Sequence, residues 1–239
     1  MRAGVRLESL GVEFMLDRHS RPLTPMLARL RRRGTTAWGL RDVSLTFEPG
    51  ESVALIGPSG SGKTTLLRVI AGVLPVDAGR LEISGQIGCL LSTDAGLMPT
   101  LTGRENAALL AVLGGLSRSR ARDQLDPIGA RSGLGPGFER QASSLSAGMK
   151  ARLGIAAAWE TGPQILLLDE VHEALDQEFR EQIFSWAREL TARGGIVIAA
   201  GQDLPLLGRM CRRGVLLRSG EVQADRPFKE AEGVYVRGD

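Results

Sequence analysis

Eight consecutive residues have the types and spacing of a phosphate-binding loop. They are Gly57-Pro58-Ser59-Gly60-Ser61-Gly62-Lys63-Thr64, which fit the pattern G-x-x-x-x-G-K-[ST] in full. Glycines let the backbone wrap a phosphate without Cβ clashes, so we expect the N–H groups from Gly60 to Thr65 to hold an anion at a helix N-terminus. Lys63 is expected to reach the β- and γ-phosphates, and the Thr64 hydroxyl to ligate Mg²⁺. An ordinary Gly-Ser turn is the alternative, but a short apolar strand precedes the segment and a helical pattern follows it.

Two carboxylates follow an apolar run that is typical of a buried strand. Asp169 and Glu170 come directly after Ile165-Leu166-Leu167-Leu168. Beside a phosphate-binding loop, an Asp at this place helps to hold Mg²⁺, and a Glu one residue later can orient and deprotonate the attacking water. Two solvated acids at a strand end are the alternative. The combination with the loop favours nucleotide hydrolysis, with Asp169 on the metal and Glu170 as the base.

The rest of the pattern predicts the elements that position these groups. Short apolar runs such as 53–56, 165–168 and 196–200 have the length of buried strands, and they alternate with helical patterns such as 177–191. This alternation predicts βαβ units and a mostly parallel sheet. The Ala- and Leu-rich stretch around 96–159 interrupts it and predicts an inserted helical subdomain. We expect helix breaks in that stretch at Gly114-Gly115 and Pro127, and a further helix capped by Ser146.

Composition excludes several other classes of protein. The net charge is only +3 among 239 residues, which is too balanced for a dedicated nucleic-acid binder, so no nucleic-acid partner is expected. Two cysteines do not make a disulfide framework. No apolar run approaches the roughly 20 residues that span a bilayer. We therefore expect a cytosolic protein that needs a partner if it works at a membrane.

A family resemblance rests first on Leu145-Ser146-Ala147-Gly148-Met149. This segment resembles the signature motif of ABC (ATP-binding cassette) proteins, usually written LSGGQ, although as an isolated motif it could be an ordinary helix cap. It precedes Asp169 by the interval that the family shows, and the resemblance extends from about Val5 to Val222. The family's signature binds the γ-phosphate held by the other subunit's loop. By the same resemblance, Asp176 matches the D-loop, and Phe14 occupies the place of the aromatic that stacks on adenine. Core packing is the alternative for Phe14.

The resemblance implies a fold and an arrangement of domains. The expected fold class is α/β, a P-loop NTPase core with a mostly parallel sheet, an inserted α-helical subdomain and an N-terminal antiparallel β portion. Residues 1–239 are expected to form a single ATP-binding domain. Its core would comprise about 1–95 and 160–225, its helical subdomain about 96–159, and 226–239 would be a short tail.

The chain departs from the family pattern at two positions. Ser92-Thr93 stands where the family has its Q-loop glutamine. Gln202 stands where a switch histidine is expected, whereas His19 and His172 lie elsewhere. A glutamine can hydrogen-bond a γ-phosphate or a water but cannot become cationic. These departures suggest the hypothesis that hydrolysis is slow, or that a partner half-site carries the active residues.

Three stretches are similar to the exporter branch for polysaccharides, O-antigen and teichoic acids. They are LSAGMKARL at 145–153, AGLMPTLTGREN at 95–106, and the basic insert before Trp38. The resemblance implies an ATPase with ATP and Mg²⁺ that powers export from the cytoplasmic face of the membrane. Its partners would be a transmembrane permease on a separate chain and a second cassette, identical or related, arranged head to tail.

Two other functions and one basic cluster remain open in the sequence. The alternatives are an ATP-dependent switch with weak turnover that regulates a partner, and a generic drug or lipid exporter cassette. Arg29 to Arg33 form a cluster that is compatible with a solvated face, a lipid-headgroup contact or a nucleic-acid patch.

Overall fold

The computed structural model describes residues 3–15, 36–91, 96–170 and 175–238. Its strands, in chain order, are β1 Gly4–Met15, β2 Thr36–Phe47, β3 Ser52–Ile56, β4 Ala78–Ser84, β5 Ile87–Leu90, β6 Ile165–Asp169, β7 Ile196–Ala200, β8 Arg213–Arg218 and β9 Glu221–Pro227. Its α-helices are α1 Lys63–Ile70, α2 Gly103–Leu113, α3 Arg118–Asp123, α4 Leu125–Ser132, α5 Ala147–Glu160, α6 Gln177–Ala192, α7 Leu204–Met210 and α8 Phe228–Arg237.

A six-stranded sheet carries the site residues. Its strand order is β5-β6-β7-β3-β8-β9. The first five strands pair in parallel, and β9 is antiparallel to β8. Every residue of β3, β6 and β7 is buried, because helices or the second sheet cover both faces of these strands. The prediction of a mostly parallel sheet is confirmed.

The N-terminal β portion is a separate three-stranded antiparallel sheet in the order β2-β1-β4. It shares one hydrophobic core with α1 and with one face of the six-stranded sheet, whose residues include Leu10, Leu40, Leu66 and Ile198. This packing places β1 and β2 next to the loop that follows β3. The predicted antiparallel portion is therefore confirmed.

Helices α2, α3 and α4 pack with α5 around a core of their own, which includes Ala107, Ile128 and Leu153. Helix α2 ends before Gly114, as expected, and Gly115 follows it with a left-handed φ of +98°. The break expected at Pro127 falls three residues earlier, at Gln124 between α3 and α4. Pro127 is the third residue of α4, and a proline is tolerated in a first turn because no intrahelical bond needs its missing N–H.

The chain beyond residue 225 is more ordered than a short tail. Strand β9 continues to Pro227, and α8 follows it with Phe228 and Ala231 buried in the core of the second sheet face. A Cβ at Gly214 would lie 2.7 Å from Ala231, so α8 packs closely against β8. Val234 and Tyr235, which are partly buried, pack against the same core, so four residues of one face hold the helix in place.

Candidate nucleotide-binding and catalytic site

The phosphate-binding loop joins the carboxyl end of β3 to the start of α1. Gly57 has φ +142°, and a Cβ there would lie 2.1 Å from the Leu217 carbonyl oxygen, so a larger residue does not fit. Gly62 caps α1 at φ +108°. Lys63 is 5% exposed, and its Nζ donates to the carbonyl oxygens of Gly57 at 2.8 Å and Pro58 at 2.9 Å. The loop thus holds the Lys63 ammonium in place with two of its own carbonyl groups, and the ammonium supplies the positive charge that a phosphate needs.

The two predicted acids emerge beside that loop. Strands β6 and β7 pair in register at Asp169 and Ala200, and the Glu170 N–H donates to the Ala200 carbonyl at 2.8 Å. Glu170 has φ +57°, a left-handed backbone that costs energy in a residue with a Cβ. Such strain is common at functional sites. Glu170 lies at the carboxyl ends of the parallel strands, which is where α/β proteins bind their ligands.

Asp169 is a buried carboxylate with one unsatisfied oxygen. It is 7% exposed, and its Oδ1 has no hydrogen-bond partner. Burial raises the pKa of Asp169, and Glu170 adds to the rise, whereas the Thr64 hydroxyl, Arg68 and Lys63 oppose it. An orphaned carboxylate oxygen close to a hydroxyl suits a hard cation with oxygen ligands. Asp169 and Thr64 therefore fit the predicted Mg²⁺ site.

Gln202 lies beside Glu170. It follows the end of β7, and its Nε2 donates to the Glu170 Oε1 at 3.1 Å. The structure thus brings together the residue at the switch position and the candidate base.

Phe14 lies near the end of β1 and is 40% exposed. A Cβ at Gly39 would lie 2.3 Å from its ring, so the ring rests directly on the β2 backbone. The same Gly39 presents its carbonyl oxygen 2.9 Å from where a Cβ of Gly62 would be. The partial exposure of the ring is compatible with stacking on a base, and that role stays a prediction. Sequence reasoning missed Gly39, whose lack of a side chain makes room for the ring.

The signature segment lies apart from the chain's own loop. Ser146 caps α5 as expected, since its Oγ accepts from the Met149 N–H at 3.2 Å. A cleft of about 310 Å³ adjoins Ser146, Gly148 and Met149, and it is also lined by Arg152 and Asp176. None of residues 57–65 lines this cleft. Leu145 is buried beneath it, whereas Ala147 is exposed at the helix start.

Asp176 is bound in two ways. Its Oδ1 caps α6 by accepting from the Phe179 N–H at 3.0 Å, and its Oδ2 forms an ion pair with Arg152 of the signature helix. The Arg152 guanidinium also lies over the Phe179 ring, 5.2 Å from its centre. Sequence reasoning assigned no role to Arg152, because nothing in the sequence pairs it with a residue of the next helix.

Asn106 is a further residue that sequence reasoning left without a role. It is fully buried, and its side chain bonds the N–H and carbonyl of Met98 and the carbonyls of Leu101 and Thr102. One amide thereby fixes the segment that leads into α2. Ser92, Thr93, His19, His172 and Arg29–Arg33 lie outside the described residues.

Sequence comparisons agree with this geometry. Residues 40–173 match the family model described as ABC transporter. The chain is 33% identical over 198 residues to a teichoic acids export ATP-binding protein of Listeria innocua, covering 83% of this chain and 59% of that one. It is 32% identical to an O-antigen export system ATP-binding protein of Myxococcus xanthus, covering 82% and 45%. The corresponding protein of Klebsiella pneumoniae is 33% identical, with 78% and 76% covered. The chain thus spans only about half the length of the first two relatives.

Solved structures share the fold. A dimeric ATP-binding cassette in a post-hydrolysis state with ADP and Pi superimposes with a TM-score of 0.78 at 23% identity, covering 94% of this chain and 98% of that one. An ATP binding subunit of an ABC transporter gives a TM-score of 0.74 at 23% identity, with 98% and 95% covered. With its phosphate-binding loop, paired acids and signature helix, this chain belongs to the ABC transporter family.

Proposed function

We propose that the chain binds ATP with Mg²⁺ and hydrolyses it. The proposal rests on one observation. Lys63 and Thr64 of the loop lie close to Asp169 and Glu170 at the carboxyl ends of the parallel strands. Lys63 and the loop N–H groups bind and orient the phosphates, and Glu170 accepts a proton from the attacking water. Thr64 and Asp169 would hold Mg²⁺, which when bound neutralises charge on the phosphate oxygens.

The active unit is a head-to-tail dimer of this chain or of this chain with a related cassette. The start of α5 at Ser146 is a helix N-terminus with small residues, suited to a phosphate. Its cleft contains no residue of the chain's own loop, so the phosphate that it contacts belongs to the nucleotide of the second cassette. Each ATP is then part of the interface, and its binding favours the closed dimer. The solved dimers of similar fold support this arrangement.

The ATPase powers export of a polysaccharide, a teichoic acid or a lipid-linked glycan. Support comes from the printed names of the relatives, which are ATP-binding proteins of teichoic acid and O-antigen export. No helix among the described residues is long and apolar enough to cross a membrane. We infer a transmembrane permease on a separate chain as the partner, with this chain at the cytoplasmic face of the cell membrane.

A second candidate is an ATP-dependent switch with weak turnover that regulates a partner. The glutamine at position 202 favours it, because an amide cannot act as a cationic group in the transition state. The strained Glu170 at the sheet edge favours hydrolysis. A generic drug or lipid exporter cassette is a third candidate, which differs only in cargo.

Phosphate release by the purified chain, with Glu170→Gln as the blank, tests hydrolysis. We expect steady release from the wild type and none from the variant, while both bind ATP. Equal release from both proteins would contradict the assignment of the base. Recovery of the membrane partner from solubilised membranes then tests the cargo, and a partner that carries only drugs or phospholipids would contradict glycan export.

A further inference from the structure

Helix α2 is apolar on two faces, and only one of them is buried. Its inner face, which includes Ala107 and Ala111, packs in the core that α2 shares with α5. On the outer face, Leu109, Val112 and Leu113 are three and four residues apart, the spacing of neighbours on one side of a helix. Val112 is 39% exposed and Leu113 is 69% exposed, and none of the three belongs to a hydrophobic core of the described residues. These three residues form an apolar stripe that the described part of the chain leaves uncovered.

The next helix, α3, carries three arginines without partners. Arg118, Arg120 and Arg122 are exposed, and within the described ranges none of their side chains has an ion pair or a hydrogen bond. By contrast, Arg104 in α2 and Arg131 in α4 are both bound by carboxylates. The fold therefore neutralises the arginines on either side of α3 and leaves those of α3 uncompensated.

The apolar stripe and the three arginines are adjacent, because only residues 114–117 connect α2 to α3 and the two helices are in contact. Exposed leucine and valine beside basic residues are typical of surfaces that lie in a membrane interface. Residues two apart in a helix point to opposite flanks, so Arg118 and Arg120 do not converge on one small anion. An array of separate phosphates matches that spread, since each guanidinium can bind a phosphate through two N–H groups.

We propose that the apolar stripe of α2 and the arginines of α3 form a contact surface for the anionic phospholipids of a membrane. The arginines bind headgroup phosphates, and the stripe enters the boundary between headgroups and acyl chains. Asp123, the one acid in α3, opposes this attraction and limits its strength. The inference is separate from the proposed ATPase function, because it requires neither the nucleotide site nor hydrolysis.

Sedimentation of the full chain with vesicles, in the absence of nucleotide, tests this surface. We would compare vesicles of phosphatidylcholine alone with vesicles of equal parts phosphatidylcholine and phosphatidylglycerol. We expect binding to the anionic vesicles only, and a decline as salt is added. Arg118→Gln, Arg120→Gln and Arg122→Gln combined should weaken partitioning about 100-fold, or about fivefold for each arginine removed. Leu113→Ser should weaken it about threefold or more, because less apolar surface enters the interface.

A second triple variant is the matched control for net charge. Arg188→Gln, Arg212→Gln and Arg226→Gln combined remove three arginines that are likewise exposed and without ion pairs among the described residues, but that lie outside α2 and α3. We expect this control to bind nearly as well as the wild type.

Three results would each overturn the proposed surface. They are a wild type that does not bind the anionic vesicles, an equal loss in both triple variants, and unchanged binding in the α3 triple variant or in Leu113→Ser. The last would place the lipid contact elsewhere in the chain. None of these results bears on ATP turnover, so a failure here is distinguishable from a failure of the ATPase proposal.

Discussion

Replacement of Asp169 by asparagine is expected to stabilise the nucleotide-free protein. The Asp169 carboxylate is buried, and its Oδ1 has no partner, a situation that costs about 1–3 kcal/mol. Lys63 and Arg68 recover part of this cost, but the pKa of Asp169 is raised overall, so burial outweighs them. We take a net gain of about 1 kcal/mol, which corresponds to a thermal midpoint about 2–4 °C higher for a chain of this size.

The gain should depend on pH in a defined direction. A carboxyl group with a raised pKa in the folded state binds its proton more tightly there than in the unfolded chain, so stability is lost as pH rises. Below the unfolded value of about 3.9, Asp169 is neutral in both states and the variant has no advantage. The difference between Asp169→Asn and wild type should therefore be full at pH 8 and shrink as pH falls through the raised pKa.

Addition of Mg²⁺ and ATP should reverse the order of stability. The wild type gains more, because ionised Asp169 is a ligand for the cation and ligand binding stabilises the folded state. Scanning calorimetry of both proteins, with and without nucleotide, measures the effect. If Asp169→Asn were less stable than the wild type at neutral pH without nucleotide, the buried Asp169 carboxylate would not lower the stability of the folded protein, and the reasoning would be refuted.

Three further predictions, which involve four substitutions, have distinct expected outcomes. Asn106→Ala removes four hydrogen bonds from a fully buried site. Urea unfolding should show that the free energy of unfolding falls by about 2–3 kcal/mol. A fall below about 0.5 kcal/mol would contradict the conclusion that Asn106 fixes segment 98–102. Arg152→Gln and Asp176→Asn both remove the ion pair between these residues, and Asp176→Asn keeps the helix cap. In a Glu170→Gln background, light scattering should show that each variant weakens ATP-driven dimerisation severalfold. The double variant should be no weaker than either single variant. Phe14→Ala should weaken ATP binding about fivefold or more in titration calorimetry, because stacking on a base contributes about 1–3 kcal/mol. Unchanged affinity would mean that the ring only packs against the β2 backbone.

Local patterns were sufficient for much of the fold and for the centre of the site. The loop from Gly57 to Thr64 carries its own geometry in its glycines, and the strand before Asp169 is apolar at every position because both faces of the sheet are covered. The cap at Ser146 was also predicted, since a serine side chain bonds the N–H three residues later. Each of these features depends on residues close together in the chain.

Contacts between distant residues could not be predicted in the same way. Arg152 meets Asp176 across two helices, and Phe14 needs the bare backbone of Gly39 on the next strand. The break expected at Pro127 falls at Gln124, because the proline lies in the first turn of α4 and the sequence does not show where that turn begins. The helix after Pro227 was missed although its apolar residues Phe228, Ala231, Val234 and Tyr235 have helical spacing, because the segment is short and only the first two of them are fully buried.

Equilibrium binding of ATP tests the central claim most directly. Titration calorimetry of the purified chain in the presence of Mg²⁺ should show one ATP per chain, with the affinity lost in Lys63→Ala, since Lys63 is the ammonium at the centre of the loop. Removal of Mg²⁺ with a chelator should weaken the binding through Thr64 and Asp169. Absence of any binding by the folded wild type at millimolar ATP and Mg²⁺, or equal binding by Lys63→Ala, would contradict the account.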